Sequence, residues 1–285
     1  MALLLMISTM MGCSKAPDAQ FPTGFNNSKA ITVIARDAAS GTRAAFHELM
    51  NIIVKDGDAQ TDNLVVSALQ FDGTDKVVTA VEGDKYAIGY ISLGSVSERI
   101  KTAIIDGVAA TAENVQNGSY KVSRPFLIVT KEEENELVGD FISFILSKQG
   151  QEIITSKNYI TADNNAPDYT GSGMSGTITI AGSTSVQPVM ELIIEAYKAI
   201  NPSVSFEMQA QGSSQGIKAA IEGTYDIGMS SRELKDTEKT ELNEHIIALD
   251  GIAVILNKDN PNENLISQNI TDIYTGKITK WNEME

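Results

Sequence analysis

Read for the spacing of its apolar positions, the chain alternates short β-branched runs with segments of helical period from Ala30 onward. The run 31–36 (ITVIAR) predicts a strand, and 42–57 (TRAAFHELMNIIVKDG) a helix. A strand over 64–71 follows, then a short helix over 75–83 stopped by Gly83, and a strand over 86–93. The run 124–131 predicts another strand, and 137–157 one long amphipathic helix. A stretch without apolar period and rich in Asn, Asp, Gly, Ser and Pro, 162–176, predicts a linker. The alternation then resumes with a strand at 177–182, a helix at 185–201, a strand at 203–211, a helix at 214–223 and a strand at 225–231. Residues 245–257 form a long apolar strand signal. Neither half repeats the other. The pattern predicts an α/β fold with largely parallel sheets.

Composition narrows the possible partners. The 285 residues are 42% hydrophobic, enough for one large domain or two lobes. A formal net charge of -15 argues against nucleic acid, whose binding draws on a basic surface. It leaves an anionic ligand open where local donors supply the attraction.

The start of the chain is a short apolar run ending in Met11-Gly12-Cys13, too short to span a bilayer and read as a signal segment. Cys13 is the single cysteine, so no internal disulfide forms. A cysteine at that place resembles the lipobox of bacterial lipoproteins, which implies lipidation of Cys13, a membrane anchor and a tether through residue 28. No Lys or Arg precedes the run, unlike the usual pattern.

Three strand-to-helix junctions carry hydroxyls: Ser40-Gly41-Thr42, Ser183-Thr184-Ser185 and Ser213-Ser214 after Gly212. One such junction needs no ligand to explain it, because Ser and Thr cap free helix N–H groups. Three, two of them with glycine, point to a shared anion site at helix N-termini, each contributing roughly 0.3–1 kcal/mol. Arg36 adds a charged fork of donors suited to a tetrahedral oxyanion; its plain alternative is a surface ion pair with Asp37. Arg43 falls inside the helix as a support. No phosphate loop of the GxxxxGK[ST] type, no GxSxG elbow and no nucleophile–base pair occurs, and His47 and His245 are isolated from each other. The sequence therefore predicts a binder rather than an enzyme, with no cofactor and no metal.

The segments TITIAGSTSVQP, QGSSQGIKAAIEG, DIGMSSRELKD, IALDGIAVILN, DIYTGKITKW, RDAASGTRAAF, AIGYISLGS and FILSKQGQEII together resemble the phosphate-binding proteins of bacterial ABC-type phosphate importers. The resemblance covers nearly the whole chain outside the leader and the linker, with the segments in a different order. It implies a circular permutation joined through 162–176, or else two half-genes fused. The implied fold is a two-lobed clamp of the type II periplasmic-binding-protein kind. One lobe is continuous over 123–249, and the other is assembled from 29–122 plus 250–285, after a leader and tether at 1–28. Crossings between them fall near Arg124 and Asp250.

The resemblance implies an anion site of Arg36, Ser40, Gly41, Thr42, Thr184, Ser185, Ser213 and Ser231. Ser231 stands where some members carry an aspartate that accepts a hydrogen bond from protonated phosphate, so discrimination against sulfate is weakened. The function implied is capture of inorganic phosphate outside the cytoplasm, by a lipid-anchored monomer, for an importer permease and ATPase. Sulfate or molybdate as ligand, or a phosphate sensor serving no transporter, are the alternatives.

Overall fold

The computed structural model describes residues 24–56, 59–131, 135–171 and 173–284. The expected leader at 1–28 falls outside them as far as residue 23, Cys13 included.

The chain opens with β1 (Thr32–Arg36), α1 (Gly41–Leu49) and the hairpin β2 (Ile53–Asp56) and β3 (Ala59–Asp62). The expected helix over 42–57 is therefore shorter. It ends where Asn51 turns to positive φ (52°), and the β-branched Ile52-Ile53-Val54 that follows favours extended backbone. Then come β4 (Leu69–Phe71), α2 (Thr74–Gly83), β5 (Ala87–Ser92), the short pieces β6 (Lys101–Thr102), β7 (Ile104–Ile105) and β8 (Val108–Ala109), and α3 (Ala112–Gln116). The strand predicted over 64–71 survives only in its last three residues.

The strand β9 (Ser123–Thr130) leads to α4 (Glu136–Ile145) and α5 (Lys148–Thr155), where one helix was predicted. The break has a local cause. The Ser147 hydroxyl caps the second helix by accepting from Gly150 N–H, and it donates to Phe144 O in the first. After β10 (Ile160–Thr161) the described residues of 162–175 form no helix or strand yet are held in place. Tyr169 donates its hydroxyl to Asp140 at 2.7 Å, and Met174 N–H donates to the Asn201 side chain.

Then follow β11 (Gly176–Gly182), α6 (Gln187–Ile200), β12 (Val204–Ala210), α7 (Ser213–Glu222), β13 (Ile227–Ser230), α8 (Asp236–Lys239), β14 (Asn243–Leu256), β15 (Asn264–Leu265) and α9 (Ser267–Tyr274).

The main sheet runs β12-β11-β13-β9-β14-β5-β1-β4. Its two ends are parallel, β11 with β12 and β13, and β1 with β4 and β5. Its centre, β13-β9-β14-β5, is antiparallel, so the sheet is mixed rather than largely parallel. The 14 residues of β14 explain this: its first part pairs with β9 and its last five residues with β5. One strand thus belongs to both ends of the sheet.

Two large apolar cores flank this centre. One is built from residues 33–122 and 252–281, with Ile160; the other lies within 126–248. Each buries enough Ile, Val and aromatic surface to stand as a lobe core, at about 25 cal/mol per Å² of apolar area removed from water. No helix among the described residues is long and apolar enough to cross a membrane.

Candidate functional site

The two ends of the sheet meet at their helix starts. On the side of the first core, β1 ends at Arg36 and the chain turns through Asp37, Ala38 and Ala39 to Ser40, whose Oγ caps α1 by accepting from Arg43 N–H at 3.3 Å. On the other side, β11 ends at Gly182, and Ser183, Thr184 and Ser185 form the turn before α6, which begins two residues later than expected. Gly212 precedes α7 with φ 117°, a value open to glycine, and its backbone lies against Ala39 O.

Direct contacts join the two sides. Thr42 Oγ1 lies 2.9 Å from Ser185 Oγ, and Ser214 N–H donates to Ala39 O at 3.1 Å. Ser213 Oγ and Ser183 Oγ both reach Ser231 Oγ, at 3.2 and 2.9 Å, and Ser213 Oγ also accepts from Ser231 N–H. Gly41 packs against the other side without room for a side chain: a Cβ there would lie 2.3 Å from Ser213 Oγ and 2.9 Å from Ser231 Oγ. The hydroxyls of Ser40, Thr42, Ser183, Ser185, Ser213 and Ser231 are all buried, and Thr184 is half-buried.

Arg36 is 2% exposed. Its Nε donates to Phe71 O at 3.1 Å, its Nη2 to Asp72 O at 3.0 Å and its Nη1 to Thr74 Oγ1 at 3.5 Å. Asp37 is a distant partner at 4.0 Å, so the surface ion pair is not what holds this side chain. Burial lowers the Arg36 guanidinium from its usual range, against a weaker pull from Asp37. A buried cation whose main partners are neutral oxygens sits beside a cluster of hydroxyls and helix N-termini. Chemically, this arrangement favours an oxyanion.

Seven of the eight predicted residues thus lie in three groups of contacts across the two sides: Arg36 through Thr74 to Thr184, Thr42 to Ser185, and Gly41 against Ser213 and Ser231. Ser40 is at the same helix start, its hydroxyl engaged in the cap.

Two participants lie outside the residues that the sequence assigns to the site. Thr74, first residue of α2, has its Oγ1 3.4 Å from Thr184 Oγ1 and so bridges the two sides. The run Phe71-Asp72-Gly73-Thr74 is a fourth strand end followed by glycine and a hydroxyl, the same signal as the other three. Ser183 is the second: its junction is read from the sequence, while its place in the cluster rests on its bond to Ser231. Among the described residues no group of three or more His, Cys, Asp or Glu is placed to hold a metal ion.

Behind the hydroxyls lies a second buried arginine. Arg124 on β9 faces Asp250 on β14 in register, with Nη2 at 3.1 Å from its carboxylate, and Nη1 donates to Ser231 O at 2.7 Å. Ser92 donates to the other carboxylate oxygen at 2.9 Å. Burial pushes the Asp250 carboxyl up to about 6, with Arg124 opposing. This pair sits where the crossing strands run side by side.

Comparison with known proteins gives a consistent result. A family model described as a PBP superfamily domain matches residues 18–149 and 167–285. The phosphate-binding protein PstS 2 of Streptococcus pneumoniae serotype 4 is 45% identical over 255 residues, 90% of this chain and 88% of that protein. The phosphate-binding protein PstS 2 of Streptococcus agalactiae serotype V is 43% identical over 284 residues, 99% and 97% of the two chains. A crystal structure of a phosphate-binding protein of a phosphate ABC transporter from S. pneumoniae TIGR4 superimposes with a TM-score of 0.74. It is 44% identical and covers 90% of this chain and 100% of that one.

Proposed function

The chain belongs to the PBP superfamily, among its phosphate-binding proteins, and from that premise we propose that it captures inorganic phosphate between its two halves for an ABC importer. The observation that carries the reading is the Arg36 guanidinium, buried with neutral oxygens as its main partners at the meeting of four hydroxyl-bearing helix starts. In this reading Arg36 pairs with the anion, and Ser40, Gly41, Thr42, Thr184, Ser185, Ser213 and Ser231 contribute hydroxyls and backbone N–H groups. Hydroxyls that now bond one another turn toward the oxyanion. The lobes are 29–122 plus 250–285 and 123–249, and ligand stabilises their closed arrangement because it touches both.

The protein acts as a receptor without catalysis, as a monomer outside the cytoplasm, anchored by lipid on Cys13 and presenting phosphate to permease and ATPase subunits. Loss of the protein from the membrane fraction in a Cys13→Ser variant tests the anchor. The segment order is a circular permutation relative to family members that begin with the AGSTS segment. The near end-to-end match with the streptococcal relatives supports an order shared with them.

Calorimetric titration with phosphate and with sulfate tests the reading. Heat with phosphate and at least about tenfold weaker binding of sulfate is expected; silence with phosphate contradicts it. A second ligand class, sulfate or molybdate, is favoured by one feature. Ser231 brings a hydroxyl, bonded to Ser183 and Ser213, where a carboxylate would reject an anion lacking a proton.

A further inference from the structure

Arg36 is held by its backbone as well as its side chain. β1 pairs with β5 only at Thr32 and Val33, so by Arg36 the ladder on that side has ended. Side chains take its place. Arg36 N–H donates to Tyr90 Oη at 3.1 Å, and Arg36 O accepts from Arg43 Nη1 at 3.0 Å. Tyr90 Oη lies 3.2 Å from His47 Nε2, and His47 Nδ1 lies 3.0 Å from Asp62 Oδ1. Asp62 Oδ2 also accepts from Arg43 Nε and Nη2, at 3.0 and 2.8 Å, which closes the ring of residues on itself.

The directions of these bonds follow from the one donor that cannot change, the Arg36 amide. Tyr90 Oη accepts from it, so the Tyr90 hydrogen turns to His47 Nε2. That nitrogen must then be bare, and Nδ1–H donates to the Asp62 carboxylate.

We infer that Tyr90, His47, Asp62 and Arg43 are positioning residues that fix Arg36 in the binding wall while His47 is uncharged, and that phosphate capture weakens when His47 takes up a proton. A proton on Nε2 would set a second donor against Tyr90 Oη, beside the Arg36 N–H, and take away the acceptor of the Tyr90 hydrogen. The groups around His47 are Phe46 and Arg43 on α1, Asp62 on β3, Tyr90 on β5 and Tyr274 on α9. Burial, the largest influence, lowers the His47 imidazole and Arg43 adds to this, while the hydrogen bond to Asp62 opposes. For Asp62, burial raises the carboxyl, but the bonds from His47 and Arg43 outweigh it and hold the group well below the usual carboxylate range. The ring is therefore built around a neutral imidazole and an ionised carboxylate.

This inference rests on Arg36 as the charged ligand of phosphate, and the test separates the two. Phosphate is titrated calorimetrically into the full chain, His47→Gln and Tyr90→Phe at about pH 7.5 and about pH 4.5, on either side of the ordinary imidazole range. The ionisation of phosphate is common to all three and cancels in ratios of Kd.

His47→Gln, with an amide oxygen for Tyr90 and an NH2 for Asp62, should match the wild type at the higher pH and bind at least about fivefold more tightly than it at the lower. Tyr90→Phe, which keeps the ring stack on Phe46, should bind about tenfold more weakly at the higher pH without a matching loss of Tm. A wild-type to His47→Gln ratio constant within about twofold between the two pH values overturns the inference, as does wild-type affinity in a folded Tyr90→Phe. No heat from the wild type with phosphate overturns the functional reading, and this inference with it.

Discussion

Two of the buried arginines, Arg36 at 2% and Arg124 at 4% exposure, are held in opposite ways. Arg124 has a carboxylate in contact on the neighbouring strand, and its Nη1 donates to the Ser231 carbonyl. Arg36 has two backbone carbonyls, a threonine hydroxyl and a carboxylate only at 4.0 Å. Burying a charge is costly unless a partner compensates it. Arg124 is compensated within the fold, and its task is to tie the two crossing strands to the floor of the hydroxyl cluster. Arg36 is left to be compensated from outside, which is the property a receptor for an anion needs.

The largest effect expected from this contrast is on stability. Arg124→Met strands the Asp250 carboxylate in the interior and should cost about 3–5 kcal/mol in chemical denaturation. Replacing both partners, Arg124→Met with Asp250→Leu, should recover most of that loss, because an apolar pair of similar size avoids the desolvation cost.

The same double variant exposes a pH dependence. The folded pKa of Asp250, about 6, lies above its unfolded value near 3.8. Its contribution is therefore fully present below the unfolded value and is lost as pH rises through the folded one. The stability of the wild type relative to the double variant should therefore fall as pH rises through about 6, measured by urea unfolding at each pH. A flat difference would mean that the carboxylate ionises in the fold as it does in water.

Gly41→Ala sharpens the comparison on the side of closure. With its new Cβ aimed at Ser213 Oγ, it should weaken phosphate binding by about 30- to 100-fold. Thr74→Val is the mildest. It removes a long contact to Arg36 Nη1 and the bridge to Thr184, for an expected three- to tenfold loss of affinity, or about 1 kcal/mol.

Much of the binding wall was legible because it is built from local signals. A strand, then Ser, Thr or Gly, then a helix can be read wherever it occurs, and three of the four starts were found this way. The fourth, at Gly73-Thr74, carried the same signal next to a strand that turned out only three residues long. What could not be read are partnerships between distant positions. Arg124 and Asp250 are 126 residues apart, and Tyr90 is 54 from the amide it accepts from. Nothing in the residues near Arg36 or near Arg124 distinguishes the arginine with a carboxylate at 3.1 Å from the one whose carboxylate stays at 4.0 Å. Helix lengths failed for a related reason. The apolar period continues through 146–147 and past Asn51, and only a serine cap in one case and a left-handed residue in the other stop the helix.

The most direct test of the difference between the two arginines is phosphate calorimetry on Arg36→Met beside the Arg124→Met, Asp250→Leu double variant, with Tm measured without ligand. The account predicts that Arg36→Met loses at least about 100-fold in affinity while its unliganded Tm holds or rises, and that the double variant still binds phosphate within about tenfold of wild type. An Arg36→Met protein that binds phosphate like the wild type, or that unfolds for want of its guanidinium, would contradict it.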